Sequence, residues 1–184
     1  GKPVYIDKTF ALDVSSAIKM FSRAEKYNTP MYSTSALRYA LELTDYTGPG
    51  TLGKDITLVS AHGPGKFSNY SIHQIEMIVK SIGIGAKRAI CTVPGNTPMA
   101  TYDGRRSTVH CMPWTQFALE IQASNGEGVS LPITSDFWPA FIDKLLAFFD
   151  TKQPAVQKDE TLEAVAMVEA GLHAIEIPDR WFEV

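Results

Sequence analysis

The sequence predicts an α+β protein, in which a mainly antiparallel, open sheet carries helices on one face. The 184 residues suffice for one domain of ordinary size, and 45% hydrophobic with 20% charged residues is a normal globular composition. Short strand-like segments crowd the centre of the chain, and two helical segments follow them. A chain of this length buries enough surface to fold without disulfide bonds or a metal ion.

The first 35 residues predict a strand, a helix and a second strand. Residues 4–6 form a short apolar strand, and Asp13 is the predicted N-cap of a helix that runs to about Tyr27. This helix is predicted from apolar residues at helical spacing, which are Val14, Ala17, Ile18, Phe21 and Ala24. Residues 31–35, M-Y-S-T-S, are the second strand, and residues 37–43 are expected to be helical.

A glycine-rich segment at residues 48–53, G-P-G-T-L-G, has the spacing of a dinucleotide-binding loop. Such a loop needs a strand before it and a helix after it, so that the amides of the helix meet the pyrophosphate. Here Pro49 lies inside the segment, and a β-branched strand at residues 56–61 follows it. We therefore predict a turn and not a cofactor-binding loop.

A helix that begins near residue 71 carries the most informative histidine. Ser71 and Gln74 fit a capping box, so Ser71 is the predicted N-cap and His73 the second helical residue. The positive end of a helix disfavours a charged imidazole, and a neutral imidazole suits a general base. His73, Glu76 and Lys80 share one polar stripe. The alternative is an exposed first-turn histidine without a catalytic role.

Four segments predict the strands of the sheet, and a hairpin signal separates two of them. The strands are residues 88–93, 108–112, 115–123 and 128–133, and the hairpin is at residues 102–105. Apolar and polar side chains alternate most clearly along the third strand, where the apolar series is Phe117, Leu119, Ile121 and Ala123.

Two helices are predicted after the sheet. Ser135 is expected to cap an apolar helix over residues 137–149, and Asp159 begins a last helix that Gly171 ends. The longest apolar runs, such as L-L-A-F-F, are too short to cross a membrane. The net charge of −3, without a basic patch, argues against a nucleic-acid partner.

The two cysteines, Cys91 and Cys111, lie in predicted strands and lack the clustering with other cysteines or histidines that zinc requires. We interpret them as buried thiols of a cytoplasmic protein, and a disulfide between neighbouring strands is the alternative. No signal peptide is visible. No spacing of His, Asp and Glu indicates a metal site.

Asp7 and Lys8 follow the first strand directly. In open α/β sheets the carboxyl ends of the strands face the ligand crevice, and a lysine there can donate to a substrate hydroxyl or to a cofactor ribose. A solvated charge pair at the end of a strand is the alternative.

Several motifs, taken in order, resemble the glucose–fructose oxidoreductase/inositol dehydrogenase/MocA family. They are G-K-P-V-Y-I-D-K-T-F-A-L, M-Y-S-T-S-A-L-R-Y, G-T-L-G-K-D-I-T, Y-S-I-H-Q-I-E, T-Y-D-G-R-R-S-T-V and P-A-V-Q-K-D-E-T-L-E-A-V-A-M-V-E-A-G-L. Each motif alone is weak, but the ordered set covers nearly the whole chain. The resemblance implies that residues 1–35 are the last strand and helix of a nucleotide-binding Rossmann domain, and that residues 36–184 are a substrate and oligomerisation domain.

The resemblance also implies roles for individual residues. Lys8 and His73 correspond to the catalytic lysine and histidine of the family, and Asp7 and Lys8 to cofactor contacts. The residues expected to bind the substrate are Arg38, Asn69 and Tyr70. Two positions depart from the usual pattern, since Thr9 replaces a proline and Asn69 an aspartate.

The implied function is transfer of a hydride between a nicotinamide and the CH–OH group of a sugar or polyol. NAD or NADP would be bound mainly by an N-terminal portion that precedes Gly1, so we expect this chain alone to be inactive. The alternatives are a non-catalytic binding or scaffolding relative, and a redox-neutral lyase or glycosidase that uses bound NAD.

The predicted sheet should have one covered and one open face. The covered face takes Phe117, Leu119, Ile121, Val129, Leu131 and Ile133. The open face takes Ile90, Thr92, Thr108, His110, Gln116, Ala118, Glu120 and Gln122. The open face is polar but poor in formal charge, which favours a self-complementary interface, and we expect a homodimer.

Overall fold

The structure is a computed structural model that describes residues 1–47, 56–92, 98–113 and 115–184. Its elements are β1 (Val4–Asp7), α1 (Val14–Lys26), β2 (Met31–Thr34), α2 (Leu41–Thr47), β3 (Ile56–Gly63), α3 (Phe67–Ile82), β4 (Arg88–Ile90), β5 (Met99–Thr101), β6 (Arg106–Cys111), β7 (Ala118–Ala123), β8 (Gly128–Pro132), α4 (Trp138–Thr151), α5 (Lys158–Glu176) and β9 (Phe182–Glu183). The turn predicted at residues 48–53 lies outside the described residues.

The first two strands form a small parallel sheet, in which β1 pairs with β2. The helix α1 connects them, and it begins as predicted because the Asp13 carboxylate accepts a hydrogen bond of 2.7 Å from the Ser16 backbone N–H. Ala17 and Phe21 are buried, whereas Ile18 is 47% exposed although it shares their helical spacing. Because parallel strands run in one direction, β1 and β2 end at the same edge of this sheet.

In the described part of the chain, the second sheet has seven strands in the order β8-β7-β3-β6-β5-β4-β9. All neighbouring pairs are antiparallel except β3 and β6. The parallel pair arises because α3 carries the chain from β3 to β4 in the same direction, and the β4–β5–β6 meander then returns to β3. The mainly antiparallel sheet is therefore confirmed, with a parallel pair at its centre that the sequence did not predict.

The two faces of the larger sheet differ as predicted. The helices α3 and α5 contact one face, and the core lies between them and the sheet. Of the residues predicted to face the helices, Leu119, Ile121, Leu131 and Ile133 are buried, and Phe117 and Val129 are partly buried against the same core. On the other face, alternate residues of β7 such as Glu120 and Gln122 are exposed.

The helix α3 begins four residues before the predicted N-cap. Lys66 is the N-cap, and Ser71 lies buried within the helix. The predicted capping box is wrong because the Gln74 side chain points to the sheet, where its amide donates a 2.8 Å hydrogen bond to the His110 carbonyl. His73 is therefore the seventh helical residue and lies beyond the range of the helix end.

Two helix boundaries after the sheet also differ from the predictions. Ser135 does not cap α4, because its hydroxyl donates a 2.5 Å hydrogen bond to the Glu42 carboxylate, and Phe137 is the N-cap. Gly171 does not end α5, which continues to Glu176. A side chain at Gly171 would overlap the ring of Phe67, so this glycine allows α3 and α5 to approach closely.

The segment predicted to be helical at residues 37–43 is divided into two parts. A short 3-10 turn over Ala36–Tyr39 follows β2, and α2 begins only at Leu41 because Ala40 has an extended ψ of 138°. Cys91 and Cys111 are both buried thiols, as predicted. Among the helices that the structure describes, none has the length and apolar composition needed to span a membrane.

Candidate active site

Lys8 lies directly after β1, at the edge where the two parallel strands end. Its Nζ atom lies 5.9 Å from the centroid of the Tyr70 ring, which belongs to the first turn of α3. The peptide bond between Lys8 and Thr9 is cis. The structure thus brings the lysine of the first 35 residues against the helix that carries the candidate histidine.

His73 lies one turn after Tyr70 on α3, and the two ring centroids are 5.8 Å apart. The Phe117 ring packs against the imidazole in a T-shaped arrangement at a centroid distance of 5.5 Å. The third neighbour is Ser35, at the end of β2, whose Oγ atom lies 2.7 Å from His73 Nδ1. One group of contacting side chains therefore contains Lys8, Tyr70 and His73. The residues around this group are partly apolar.

The imidazole of His73 is held in its neutral form. Burial, and to a smaller extent the positive charge of Lys8, lower its pKa to about 4, although the negative charge of Asp7 acts in the opposite direction. The sequence predicted a neutral histidine from the positive end of a helix. The structure gives the same charge state for a different reason, because His73 lies nearly two turns inside α3.

Asp7 and Asn69 occupy the rim of this group. Asp7 is exposed at the end of β1, and Asn69 is exposed in the first turn of α3. Among the described residues, Ser35 and not Asn69 forms the side-chain contact with His73 Nδ1. Tyr70 is 42% exposed, so its ring covers Lys8 while one side remains open to solvent.

Arg38 is not part of this open group. Its guanidinium group is nearly buried and forms ion pairs with Glu76, at 3.0 Å, and with Glu160 of α5. Glu76 also accepts a hydrogen bond from the hydroxyl of Thr34, and Lys80 donates to the Arg38 carbonyl at 2.6 Å. A substrate would have to displace a carboxylate to reach Arg38, which argues against the substrate-binding role that the resemblance implied.

The predicted polar stripe on α3 consequently has two different parts. His73 is partly exposed beside Lys8, whereas Glu76 is buried in the ion-pair cluster and Lys80 is partly buried beside it. Burial lowers the pKa of Lys80 to about 8, and the nearby charge of Arg38 contributes to that lowering. The cluster therefore connects the segment at the end of β2 to α3. This connection fixes the position of Ser35 relative to His73.

Ser35 and Phe117 are site residues that the sequence analysis did not single out. A signal for Ser35 was present, because small polar residues after β2 must lie at the same edge as Lys8 when β1 and β2 are parallel. No comparable signal existed for Phe117, which reaches His73 from the segment just before β7. Within the described part of the chain, no three His, Cys, Asp or Glu side chains are placed to hold a metal ion.

The arrangement can bind an oxygen atom of a small ligand. Lys8 supplies a positive charge with three N–H donors, and the neutral imidazole of His73 supplies one nitrogen that is not used by Ser35. Tyr70 and Phe117 supply apolar surface on which a carbon skeleton can pack. Such a combination suits a hydroxyl or carbonyl group that changes its charge during a reaction.

The sequence matches no protein-family model and no curated protein. Several solved structures share the fold. A putative myo-inositol dehydrogenase from Sinorhizobium meliloti superposes with a TM-score of 0.83 at 12% identity, over 100% of this chain and 74% of that one. An oxidoreductase from Agrobacterium radiobacter, in complex with NAD+, L-tartaric acid and magnesium, gives 0.75 at 13% identity over 98% and 72%.

The myo-inositol 2-dehydrogenase from Lactobacillus plantarum gives a TM-score of 0.73 at 17% identity, over 99% of this chain and 73% of that one. At these identities the likeness establishes the fold, and this chain spans about three quarters of each solved chain. The fold that the resemblance in the sequence implied is therefore the observed one, and this chain shares it with the matching part of these solved structures.

Proposed function

We propose that this chain forms the substrate-binding and proton-handling part of an NAD(P)-dependent oxidoreductase that acts on a sugar-like or polyol-like CH–OH group. The observation that carries the proposal is the meeting of Lys8 with a neutral His73 at the edge where β1 and β2 end. The charge of Lys8 lowers the pKa of the His73 imidazole, so the two groups are near enough to contact the same ligand atom.

A nicotinamide cofactor fits this edge. Ligands of open α/β sheets bind outside the carboxyl ends of parallel strands, and Asp7 and Lys8 follow β1 at that position. When bound there, the nicotinamide would supply the hydride chemistry. We propose accordingly that residues 1–35 complete a nucleotide-binding domain and that residues 36–184 form the substrate domain.

Among the described residues, no loop with the G-x-G-x-x-G spacing that binds the pyrophosphate of the cofactor joins a strand to a helix. The G-P-G-T-L-G segment precedes a strand, whereas the loop that binds pyrophosphate must precede a helix. We therefore expect the purified 184-residue chain to bind NADH weakly. Saturable micromolar binding in a calorimetric titration would contradict this.

The residues of the chain would bind and polarise the reacting oxygen. Lys8 stabilises negative charge on that oxygen and exchanges a proton with it, and His73 forms a second hydrogen bond to it. The exposed side chains of Asn69 and Tyr70, in the first turn of α3, are placed to contact the remaining hydroxyl groups of a substrate.

The solved structures with this fold support the proposal because they include dehydrogenases that are named for myo-inositol and an oxidoreductase that is complexed with NAD+ and L-tartaric acid. These ligands share several hydroxyl groups on a short carbon skeleton. One hydroxyl group of such a substrate would accept hydrogen bonds from Lys8 and His73. Its other hydroxyl groups would contact Asn69 and Tyr70.

The test is a redox assay of the complete gene product. The protein is incubated with NAD+ or NADP+ and a panel of polyols, aldoses and hydroxy acids, and reduction of the nicotinamide is followed by absorbance. We expect turnover with a polyhydroxylated substrate. Sugar cleavage without net reduction would favour the redox-neutral alternative, and ligand binding without any turnover would favour the binding module.

We further propose that the protein forms a homodimer through the open face of the seven-stranded sheet. Along β3 and β6 this face presents partly exposed Ser60, His62, Thr108 and His110. The two imidazole rings stack with a centroid distance of 4.8 Å, and the hydroxyl of Thr108 donates to Ser60 at 2.9 Å. An ordered polar surface with few formal charges suits a contact between two copies of the chain.

A further inference from the structure

Ser35 connects the end of β2 to the imidazole of His73. The residue is fully buried, and its Oγ atom lies 2.7 Å from His73 Nδ1. The same oxygen accepts a hydrogen bond of 3.2 Å from the backbone N–H of Leu37, which makes Ser35 the N-cap of the 3-10 turn. Within the described residues the Ser35 hydroxyl therefore has two hydrogen-bonding partners, and the direction of donation is fixed for the Leu37 N–H but not for His73.

The direction of the second hydrogen bond follows from counting hydrogens. A serine hydroxyl has one hydrogen and two lone pairs, and the Leu37 N–H occupies one lone pair. The hydrogen of a buried hydroxyl needs an acceptor. Within the residues that the structure describes, His73 Nδ1 is the acceptor in contact with it. If Nδ1 carried a hydrogen instead, the hydroxyl hydrogen of Ser35 would be buried without a partner.

We propose that Ser35 holds the neutral His73 in the tautomer that carries its hydrogen on Nε2, so that His73 offers the substrate a hydrogen-bond donor and not a lone pair. Ser35 is a positioning residue in this proposal, because it acts through His73. The tautomer itself is a property of this chain alone, and its role in a reaction rests on the proposed function.

The tautomer separates the roles of the two site residues. A neutral imidazole with its hydrogen on Nε2 cannot take a proton at that atom, so Lys8 must exchange the proton with the substrate oxygen. In the reduction direction an N–H bond of the charged Lys8 ammonium would break as an O–H bond forms on the substrate oxygen, while the carbonyl carbon accepts a hydride, which a bound nicotinamide would supply. His73 donates a hydrogen bond to this oxygen throughout and keeps its own proton.

The experiment is a long-range ¹H–¹⁵N spectrum of the imidazole rings of the purified protein near pH 7. Protonated and unprotonated ring nitrogens resonate at separate ¹⁵N positions, so the spectrum reports the tautomer directly. The signals of His73 are identified by their loss in His73→Ala. We expect Nδ1 of His73 at the unprotonated position and Nε2 at the protonated position, and the reverse pattern would overturn the proposal.

Two variants test the cause. Ser35→Ala should move both His73 nitrogens toward averaged positions, because the hydroxyl that selects the tautomer is lost, and Ser35→Thr should restore the separated positions. Ser33→Ala is the matched control, since Ser33 is a buried serine two residues earlier, in β2, and among the described contacts the hydrogen bond to His73 comes from Ser35. An unchanged pattern in a folded Ser35→Ala protein would show that Ser35 does not set the tautomer.

The result can be separated from the proposed function. If Ser35→Ala fails to fold, the wild-type spectrum alone still decides the tautomer. A protein that shows the expected tautomer but lacks redox activity would overturn the proposed function and leave the tautomer assignment intact. A protein that is active but has its hydrogen on Nδ1 would overturn this inference and leave the proposed function intact.

Discussion

The helix α3 carries two titratable side chains, His73 and Glu76, whose surroundings differ in the ionic partners that they offer. Around His73 burial and the charge of Lys8 keep the imidazole neutral. Three residues later, Glu76 is more deeply buried than His73, yet it is paired with Arg38 at 3.0 Å and also accepts a hydrogen bond from Thr34. Burial raises the pKa of the Glu76 carboxyl, and the charge of Arg38 together with the hydrogen bonds from Arg38 and Thr34 counteracts that rise. Among the described residues, no carboxylate forms such a pair with His73.

The comparison indicates that one region of the helix contributes to stability and the other to the candidate site. The cluster of Arg38, Glu76 and Glu160 connects the segment after β2 to α3 and α5, so it serves the fold. The group of Lys8, Tyr70 and His73 is partly open and contains a lysine and an imidazole without a carboxylate ion pair in the described residues. Substitutions in the first region should therefore reduce stability, and substitutions in the second should reduce activity.

The largest expected effect is on catalysis by the complete gene product. Lys8→Ala and His73→Ala should each lower kcat by about 100- to 10,000-fold, the usual range for a lost proton-transfer or hydrogen-bonding group. The fraction folded, measured by circular dichroism, should not change. Lys2→Ala and His173→Ala are matched controls at exposed positions. A variant of Lys8 or His73 with nearly normal turnover would remove that residue from the site.

The second effect is on stability. Arg38→Met leaves Glu76 and Glu160 without their common cation, and breaking a buried ion pair in this way costs about 3–5 kcal/mol. The free energy of unfolding is measured with urea. Glu25→Gln is the control, because Glu25 pairs with Lys158 at an exposed position and should contribute at most about 1 kcal/mol. Equal losses in the two variants would contradict the contrast between the regions.

The third prediction concerns pH. The unfolded imidazole of His73 has a pKa of 6.5 and the folded one about 4, so the unfolded state binds more protons as the pH falls below 6.5. This lowers the free energy of unfolding progressively, by about 2 kcal/mol at pH 5, and the loss ends near pH 4. Urea titrations at several pH values should show a smaller decline in His73→Gln than in the wild type. The exposed His173→Gln protein should decline as the wild type does.

The smallest effect is expected at the open face of the sheet. Gln122→Lys places a charge in the proposed dimer contact and should weaken dimerisation by about 1–3 kcal/mol. Gln153→Lys, at an exposed position two residues after α4, is the matched control. Light scattering over a dilution series measures the mass. A wild-type protein that stays monomeric at high concentration, or a dimer that is indifferent to Gln122→Lys, would contradict the proposed interface.

The sequence was most informative where apolar and polar side chains alternate along a strand, or where a side chain caps a helix. The strand β7 was predicted from the alternation of Leu119 and Ile121 with polar neighbours, and α1 from Asp13 before an apolar periodic segment. The fold class followed from these local patterns. The parallel pairing of β3 with β6 could not be predicted in this way, because it joins residues about 48 positions apart, such as Ser60 and Thr108.

The candidate site was less predictable for the same reason. Lys8 and His73 were selected by resemblance. The predicted position of His73 in its helix was wrong, because the polar first turn with Ser68 and Asn69 resembles a loop before an N-cap. Ser35 reaches His73 across 38 residues of sequence. Arg38 was assigned to the substrate because nothing in the sequence shows that Glu160, on the last helix, is its partner.

Gly171 connects the packing of the last helix to the site. Phe67 begins α3, and Tyr70 follows it within the same helical turn. A methyl group at position 171 would push the Phe67 ring away, and the start of α3 would have to shift with it. A random screen for loss of activity in the complete gene product should therefore recover Gly171→Ala, although this residue is remote in sequence from Lys8 and His73. If Gly171→Ala retained full activity, the interface between α3 and α5 would accommodate the methyl group without displacing Tyr70.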